Sequence, residues 1–339
     1  MVDEVLLSTD FVEPGLRDEV WRKIAKPYFE ATQGDEDTIL EGSILSRSLS
    51  TMLVGATTFN WQHYSRDRRF VLQSGLDHYL LQLFISGSLM GDCDGRMISV
   101  DPGDIWVFDL ARIFKGSARA GSTISIVLPR ERVDKAADGR SLHGVVLKAG
   151  LPVTRLLTDF IVSLSNVSAQ MEHADILALE GAAIDLLACG LARQLPDGAL
   201  GDQALAHVLR RRVLDVIDAN LSEPELGPAL LMRRFRVSRA HLYRTFAADG
   251  GVARVVRERR LDASYRELVS PATPIRSITE IAYQLGFSGS AQFLRAFRAR
   301  FGMTPSEARQ EGGTPMQADR RLAQVHEHLA EYARKLGAS

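Results

Sequence analysis

The chain has 339 residues, of which 45% are hydrophobic and 24% charged, and its formal net charge is −1 at pH 7. This composition is typical of a globular protein with two or three domains. The two cysteines, Cys93 and Cys189, are far apart and form no CxxC or Cys/His spacing. The sequence therefore supports neither a zinc site nor a disulfide framework.

The sequence also argues against export and membrane insertion. Residues 1–11 contain acidic side chains and lack the basic segment and apolar run of a signal peptide. The most apolar long stretch, residues 176–192, is interrupted by Glu180 and Asp185 and is too polar to span a bilayer. We therefore expect a cytoplasmic protein with no membrane segment.

Charge is distributed unevenly along the chain. Residues 204–310 contain 18 arginines, no lysine and ten acidic residues, a net charge of +8, which leaves −9 for the rest. A basic module joined to an acidic one is typical of a DNA-binding protein with a separate regulatory part. The exclusive use of arginine suits bidentate binding of guanine and phosphate, although a GC-rich genome explains it equally well.

The N-terminal part predicts one helix followed by several strands. Residues 18–31 have the apolar spacing of a helix. From residue 44 the pattern alternates, which predicts strands at 52–59, 79–86, 96–100, 105–109 and 122–128. Asp94-Gly95 is a hairpin turn signal, and Asp101 to Asp104 form another tight connection. Strands at this spacing predict a small β-barrel or sandwich.

Two amphipathic helices are predicted after residue 151. The first begins at Pro152, and the second carries an apolar stripe between residues 176 and 191. They either cover the barrel or form a dimer interface, and we favour the dimer because palindromic or repeated DNA sites call for one. Residues 194–201, which include Pro196 and Gly198, are predicted to be an interdomain linker.

The C-terminal part predicts helices only. Their predicted bounds are 208–220, 226–235, 238–248, 252–268, 277–286 and 290–300, with a short helix from residue 304. Ser238 is a good N-cap, and Ser277 with Glu280 forms a capping box. Residues 317–336 predict a polar helical tail that is either exposed or packed on a partner.

One helical pattern occurs twice, 51 positions apart. Its residues are Leu242, Arg244, Phe246 and Gly251, which recur as Phe293, Arg295, Phe297 and Gly302. The apolar members lie at i and i+4 and mark a buried stripe, whereas each arginine lies about 200° around the helix from the first of them. Each copy follows an apolar helix and a short turn, so the chain predicts two helix-turn-helix units with outward arginines.

The second copy belongs to a longer motif. Ile281-Ala282 and Gly286-Phe287 are followed by further motif residues at Phe293, Phe297, Phe301-Gly302, Thr304-Pro305-Ser306 and Arg309. This order and spacing resembles the signature of AraC/XylS-type transcription regulators, and the match covers residues 208–310. Phe235-Arg236 departs from it where the family often has glycine, and Ala308 where an aromatic residue is common.

The resemblance continues more loosely into the N-terminal part. Pro102-Gly103-Asp104 and Leu128-Pro129-Arg130 resemble recurring turns of the family's cupin-like ligand-binding region. The resemblance implies an α+β multidomain chain. Its expected parts are a cupin-like β-barrel at 1–150, a helical dimerisation and linker segment at 151–200, an all-α domain with two helix-turn-helix motifs at 204–311, and a tail at 312–339.

The resemblance also implies partners. We expect a homodimer that binds double-stranded promoter DNA, works with RNA polymerase, and responds to a small-molecule effector without a cofactor. Control by a protein partner or by self-association, with an empty barrel, is the alternative. An enzyme fused to a DNA-binding module is a third hypothesis. No Ser/His/Asp, Cys/His or metal pattern supports it, and His63 and His78 are isolated.

Helical spacing and the resemblance together assign the DNA contacts. The residues expected to read bases are Arg244, Arg295, Tyr243, Ala240, Gln292 and Ala291. Those expected to contact phosphate or bases are Arg239, Arg298, Ser238 and Ser290. Arg257, Arg259 and Arg260 of the connecting helix are candidates for contacts to phosphate alone.

The effector site is assigned from the acidic half. Arg66, Arg68 and Arg69 form its only dense basic cluster, which either binds an anionic effector or is a solvated loop or strand edge. Aromatic residues that either line a cavity or belong to the core are Trp61, Tyr79, Phe84, Trp106 and Phe108.

Overall fold

The computed structural model describes residues 3–49, 52–137, 141–192, 200–270 and 276–312. The chain divides into two compact units, one before residue 197 and one within residues 197–317. The predicted helical tail at 317–336 lies outside the described residues. So does most of the predicted linker, whose last two residues belong to a helix.

The N-terminal unit combines ten strands with five helices among its described residues. In chain order these are β1 (Asp3–Ser8), α1 (Arg17–Ala25), β2 (Glu30–Gln33), β3 (Gly42–Leu49), β4 (Met52–Phe59), β5 (Gln62–Arg66), α2 (Arg68–Ser74), β6 (His78–Cys93), β7 (Arg96–Val100), β8 (Ile105–Asp109), β9 (Phe114–Pro129), α3 (Arg130–Ala136), β10 (Val145–Leu147), α4 (Pro152–Val167) and α5 (His173–Ala192). All five predicted strands are present, and two of them are parts of the longer strands β6 and β9.

The predicted helix at 18–31 is too long. Helix α1 ends at Ala25, and residues 30–33 form the strand β2, which pairs with β5. Pro27 lacks the N–H that a continuing helix needs. Pairing across the sheet, in which Glu30 lies opposite Ser65, then holds residues 30–33 in an extended conformation.

The two long strands β6 and β9 hold the sheet together. The first half of β6 pairs with β8 and its second half with β7. The first half of β9 pairs with β5 and its second half with β4. Strands β3 and β1 continue the sheet beyond β4, and β10 continues it beyond β8. The ten-stranded sheet thus has two halves, one on each side of the middle of β6 and β9, and both long strands belong to both halves.

The pairing of β6 with β9 shifts register twice between Phe84 and Ser88. Gly87 adopts a φ of +76°, and a Cβ on Gly121 would lie 2.2 Å from the Ser86 carbonyl oxygen. Both positions therefore require glycine. Side chains from both halves of β6 and of β9 share one apolar cluster, so the sheet folds over on itself. We attribute this fold to the register shifts between Phe84 and Ser88.

The alternation of side chains along the strands separates two cores. In β6, Leu80 and Phe84 face an aromatic-rich core enclosed by the two halves of the sheet. Tyr79, Leu81 and Leu83 face the opposite side, where they pack with the helices α3, α4 and α5. Neighbouring residues of one strand thus belong to different chemical surroundings.

Helices α4 and α5 cover the sheet. Their stripe residues Leu157, Ile161, Leu164 and Leu187 are buried with Ile126 of β9 in one cluster. These side chains pack within the chain, so this face of the two helices covers the sheet. The dimer interface that the preferred interpretation assigned to the two helices stays a prediction.

The C-terminal unit consists of helices in its described part. They are α6 (Leu200–Ala219), α7 (Pro228–Phe235), α8 (Arg239–Thr245), α9 (Val252–Val269), α10 (Ile278–Gln284), α11 (Ser290–Phe301) and α12 (Pro305–Gly312). The predicted helices are confirmed with small changes in their ends, and α6 begins eight residues earlier than predicted. The capping box of Ser277 and Glu280 is present at the start of α10.

We predict that two adjacent leucines of α4, in the N-terminal unit, contribute very unequally to stability. Leu157 is fully buried, so Leu157→Ala should lower the free energy of unfolding by about 2–5 kcal/mol. Leu156 is 59% exposed, so Leu156→Ala should change it by less than about 0.5 kcal/mol. Urea unfolding followed by tryptophan fluorescence measures both, because all three tryptophans lie in this unit. An equal cost at the two positions would contradict the assignment of faces.

Candidate nucleic-acid interface

Helices α8 and α11 present the same pattern of exposed side chains. On α8 the outward positions begin with Ala240, and on α11 they begin with Ala291, 51 residues later. The full outward sets are Ala240, Tyr243, Arg244 and Ala247 on the first turn-and-helix unit, and Ala291, Leu294, Arg295 and Arg298 on the second. The spacing i, i+3 and i+4 places the members within each helix on one side, and Ala247 lies in the 3-10 turn that follows α8.

The opposite sides of the two helices are buried. Leu242 and Phe246 are fully buried in the core of the first unit, as predicted from the repeat. Phe293 and Phe297 are fully buried in the second, where their rings lie 5.5 Å apart. Because these anchors are fixed in the core, the arginine two residues after each first anchor is directed to solvent.

The outward arginines are exposed and, among the described residues, lack ion-pair partners, in contrast to Arg259 and Arg300 of the same unit. Within the described part of the chain, Arg244, Arg295 and Arg298 form no ion pair, and Arg298 interacts electrostatically with Glu307 of α12. Arg239 is exposed, and its guanidinium lies 5.2 Å from the Tyr243 ring. Positive charge that is exposed and unneutralised on a helix face is available to an external anion.

The beginnings of the two helices are built differently. Ser238 caps α8, since its hydroxyl accepts a hydrogen bond of 3.2 Å from the backbone N–H of His241. Helix α11 begins at Ser290 after Gly289 and has no side-chain cap. Gln292 is exposed, and its amide oxygen accepts a hydrogen bond of 3.0 Å from the Ser288 hydroxyl. Ser238 and Ser290 are both exposed at the N-terminal ends, where backbone N–H groups favour anions.

The two turns explain one departure from the family motif. Gly286 ends the first helix of the second unit with a φ of +71°. In the first unit Arg236 ends the helix α7 in the left-handed conformation, with a φ of +53°. Arg236 lies three residues before α8, whereas Gly286 lies four before α11, so the first turn is one residue shorter. A left-handed arginine costs roughly 1 kcal/mol relative to glycine.

Arg260 is a structural residue rather than a phosphate contact. Its guanidinium is buried and donates to the carbonyl oxygens of Leu221 at 3.1 Å and Glu223 at 2.6 Å, before α7. It also donates to the carbonyl oxygen of Gly286 at 3.0 Å, in the turn of the second unit. Burial lowers the pKa of Arg260. The expectation that it binds phosphate is therefore wrong.

A second arginine ties α11 to the connecting helix α9. Arg300 forms a bidentate ion pair with the buried Asp262, at 2.7 and 3.1 Å, and a further contact of 3.2 Å with Glu258. Arg259 pairs with Asp218 of α6 at 3.1 Å. Bidentate pairs fix orientation as well as distance. Helix α9 therefore anchors both helix-turn-helix units.

The predicted anionic effector site is not assembled. Arg66 is fully buried and donates to the carbonyl oxygens of Leu110 at 3.0 Å and Tyr28 at 2.6 Å, and to the Ser74 hydroxyl at 2.7 Å. Burial lowers its pKa to about 10. Arg68 and Arg69 open α2, which Asp67 caps. None of the three arginines lines the cavity of the aromatic core. The guanidinium of Arg66 is held by its hydrogen bonds to backbone carbonyl groups.

Of the aromatic residues predicted to line a cavity, some do so and others do not. The cavity in the aromatic core has a volume of about 80 Å³, and Trp106 and Phe84 line it. Trp61 lies outside it, half-buried, with its indole N–H donating to the Ser117 hydroxyl at 3.1 Å. Tyr79 lies on the other face of β6 and donates to Asp134 at 3.0 Å. The pleat of the strand therefore removes Tyr79 from the cavity.

The described residues contain neither a metal-binding cluster nor a membrane span. Among them, no group of three His, Cys, Asp or Glu side chains is placed to hold a metal ion. No helix in the described ranges has both the length and the apolar character needed to cross a membrane.

Two family models match this chain in succession. Residues 45–195 match an AraC-binding-like domain, and residues 231–311 match a helix-turn-helix domain. The first match covers the sheet from within β3 onward together with α4 and α5, and the second covers α8 and α11. The two models together support, in both parts of the chain, the predicted resemblance to AraC/XylS-type transcription regulators.

Two relatives match over shorter regions. The HTH-type transcriptional regulator GlxA of Rhizobium meliloti (strain 1021) is 31% identical over 108 residues, 32% of this chain and 33% of that protein. The XylDLEGF operon transcriptional activator 2 of Pseudomonas putida is 33% identical over 102 residues, 28% of this chain and 62% of that protein. The matched regions thus span a third and less than two thirds of these relatives.

One solved structure is similar over most of the chain. The AraC-like transcriptional activator CuxR superposes with a TM-score of 0.54 at 21% identity, over 78% of this chain and 96% of that chain. At this identity the similarity concerns the fold. It agrees with a β-sheet-rich N-terminal unit followed by a helical unit with two helix-turn-helix motifs.

Sequence reasoning missed several residues of these sites. Leu294 is 43% exposed at the position that corresponds to Tyr243, and the 51-residue repeat was the signal that identifies it. Arg260 lies four residues after Val256 on the buried side of α9, and this helical spacing was the signal for its buried role. Tyr28 and Tyr64 line the cavity from a loop and a short strand that the alternation pattern did not reveal.

We predict that replacing Arg260 lowers the stability of the protein much more than replacing Arg257 on the same helix. Arg260→Ala leaves three buried carbonyl groups without their charged donor and should lower the free energy of unfolding by about 2–4 kcal/mol. The matched control Arg257→Ala, at an exposed position of the same helix, should cost less than about 0.5 kcal/mol. Denaturation followed by far-ultraviolet circular dichroism measures both, and similar costs would contradict the structural role of Arg260.

Proposed function

We propose that this protein is a transcription regulator that binds double-stranded promoter DNA sequence-specifically through two adjacent stretches of major groove. The observation that carries the proposal is the repeated outward face of α8 and α11, with an arginine at the same place in each. Both helices belong to the basic part of the chain, whose net charge favours the phosphate backbone.

The outward residues differ in their proposed roles. Arg244 and Arg295 read bases, because an arginine bonds the O6 and N7 atoms of guanine in bidentate fashion. Gln292 suits adenine, and the exposed apolar surfaces of Tyr243 and Leu294 suit a thymine methyl group. Ala240 and Ala291 are small and let each helix approach the base edges.

Four residues are proposed to position the protein on the backbone. Arg239 and Arg298 lie on the flanks of the two faces and contact phosphate or an adjacent base. Ser238 and Ser290 lie at the N-terminal ends of the two helices, where a hydroxyl and the backbone N–H groups face a phosphate. These contacts add affinity that is independent of sequence.

We further propose that a small-molecule effector modulates promoter binding. The supporting observation is the cavity in the aromatic core of the N-terminal unit, because an apolar cavity with a few polar groups is the usual form of a ligand site. The alternative is control by a protein partner or by self-association without a ligand. A homodimer, contact with RNA polymerase and a cytoplasmic location complete the proposal. The dimer surface must use side chains other than the buried stripes of α4 and α5.

We predict that the two reading arginines act on sequence preference. Arg244→Ala and Arg295→Ala should each weaken binding to the preferred DNA by about 1–3 kcal/mol and have a smaller effect on scrambled DNA. The preferred sequence comes from selection with the full-length protein. Gel-shift titrations on both duplexes at one salt concentration measure the effect.

The matched control is Arg257→Ala on the connecting helix, which should leave the ratio of the two affinities unchanged. Arg→Lys variants at 244 and 295 should lose most of the preference, because lysine keeps the charge but lacks the bidentate geometry. Equal losses on both duplexes after Arg295→Ala would assign this residue to phosphate and refute the base-reading role.

A further inference from the structure

The cavity of the N-terminal unit has aromatic and aliphatic walls. Trp21 of α1, Phe59 of β4, Phe84 of β6, Trp106 of β8 and Phe114 of β9 are buried and line it. Their rings come from both halves of the sheet and from the helix that closes one end. A cavity enclosed by ring faces and edges favours a flat apolar molecule.

Two phenol groups face this apolar environment. Tyr28, which follows α1, and Tyr64 of β5 both line the cavity. Their hydroxyl groups have no hydrogen-bond partner among the described residues, although the Tyr28 carbonyl oxygen accepts from Arg66. Burial raises the pKa of both phenols above the ordinary value of a tyrosine, so both are protonated at pH 7. Because no group of the described residues occupies them, both hydroxyl groups are available to pair with a ligand in the cavity.

One amide supplies a further polar group on the sheet side. Gln82 donates through its Nε2 atom to the hydroxyls of Thr123 at 3.2 Å and Ser125 at 3.3 Å. Gln82 lines the cavity, and its amide oxygen has no partner among the described residues. The hydroxyl partners fix the amide, so its oxygen is a preorganised acceptor for a ligand hydroxyl or amine.

Charge and size narrow the ligand class. None of the described residues that line the cavity is charged, and Arg66 is directed to backbone carbonyl groups. A carboxylate placed here would lose its hydration without gaining a counter-ion. The cavity of about 80 Å³ has room for roughly six water-sized groups, which corresponds to one substituted ring.

We propose that the effector is an uncharged single-ring aromatic molecule with a hydroxyl or carbonyl substituent, bound between the phenols of Tyr28 and Tyr64 and the amide of Gln82. This rests on the proposed function, since it identifies the chemical class that the regulatory cavity takes. It replaces the expectation of an anionic effector held by Arg66, Arg68 and Arg69.

Isothermal titration of the full-length protein at pH 7 with three probes of similar size tests the ligand class. The probes are benzyl alcohol, which is neutral and polar, toluene, which is apolar, and benzoate, which is anionic. Benzyl alcohol should bind about tenfold more tightly than either of the others. Benzoate binding as tightly as benzyl alcohol would overturn the proposal, and so would no binding of benzyl alcohol up to roughly 10 mM.

Variants locate the binding site. Tyr28→Phe and Tyr64→Phe keep the ring, so they should weaken benzyl alcohol binding by about three- to tenfold and leave toluene binding within about twofold. Ala118→Leu fills the cavity and should abolish binding of both probes, whereas Ala120→Leu, at an exposed position of β9, should not change it. Unchanged binding in Ala118→Leu would place the probes elsewhere and overturn the assignment.

The same protein samples distinguish this proposal from the broader one. If the protein binds its selected DNA but no neutral ring probe, the ligand class is wrong and the DNA-binding function remains. If it binds no DNA with sequence preference, the proposed function is wrong whatever the probes do.

Discussion

Helix α9 is the constraint on which the DNA-binding unit depends. Arg260 on this helix bonds the segment before the first helix-turn-helix and the turn of the second. Arg300 and the buried Asp262 fasten α11 to the same helix. A Cβ on Gly286 would lie 2.5 Å from the Arg260 guanidinium, so the turn and the arginine fit only as glycine and arginine together. The two outward faces thus keep a fixed relation, which two separate domains on a linker would lack.

The N-terminal unit uses one sheet for two purposes. Successive residues of β6 and β8 point to opposite sides, so that one side packs with α4 and α5 and the other encloses the cavity. The first side gives the sheet its stability, and the second leaves polar groups of Tyr28, Tyr64 and Gln82 facing apolar walls. A ligand that pairs with these groups would stabilise the sheet, and that is a physical route by which a small molecule affects the state of the unit.

Local chemistry made much of this structure predictable. The Asp94-Gly95 turn, the Ser277 and Glu280 capping box, and the buried anchors of α8 and α11 follow from short-range rules, and all are present. The outward positions followed from the repeat. Long-range contacts were not predictable. Pairing with β5 turned residues 30–33 into a strand, and only the fold reveals that Arg66 bonds backbone carbonyls. The carbonyl groups that Arg260 bonds belong to segments distant along the chain, so its partners could not be predicted from the sequence around it.

Dimethyl sulfate footprinting of the full-length protein on DNA that it selects is the most direct test of two-window reading, because the reagent methylates guanine N7 in the major groove, where Arg244 and Arg295 are proposed to bind. The expected result is two protected windows on one face of the duplex, about one helical turn apart. Arg244→Ala should unprotect only one window and Arg295→Ala only the other. A single protected window that both substitutions affect equally would contradict the two-window interface.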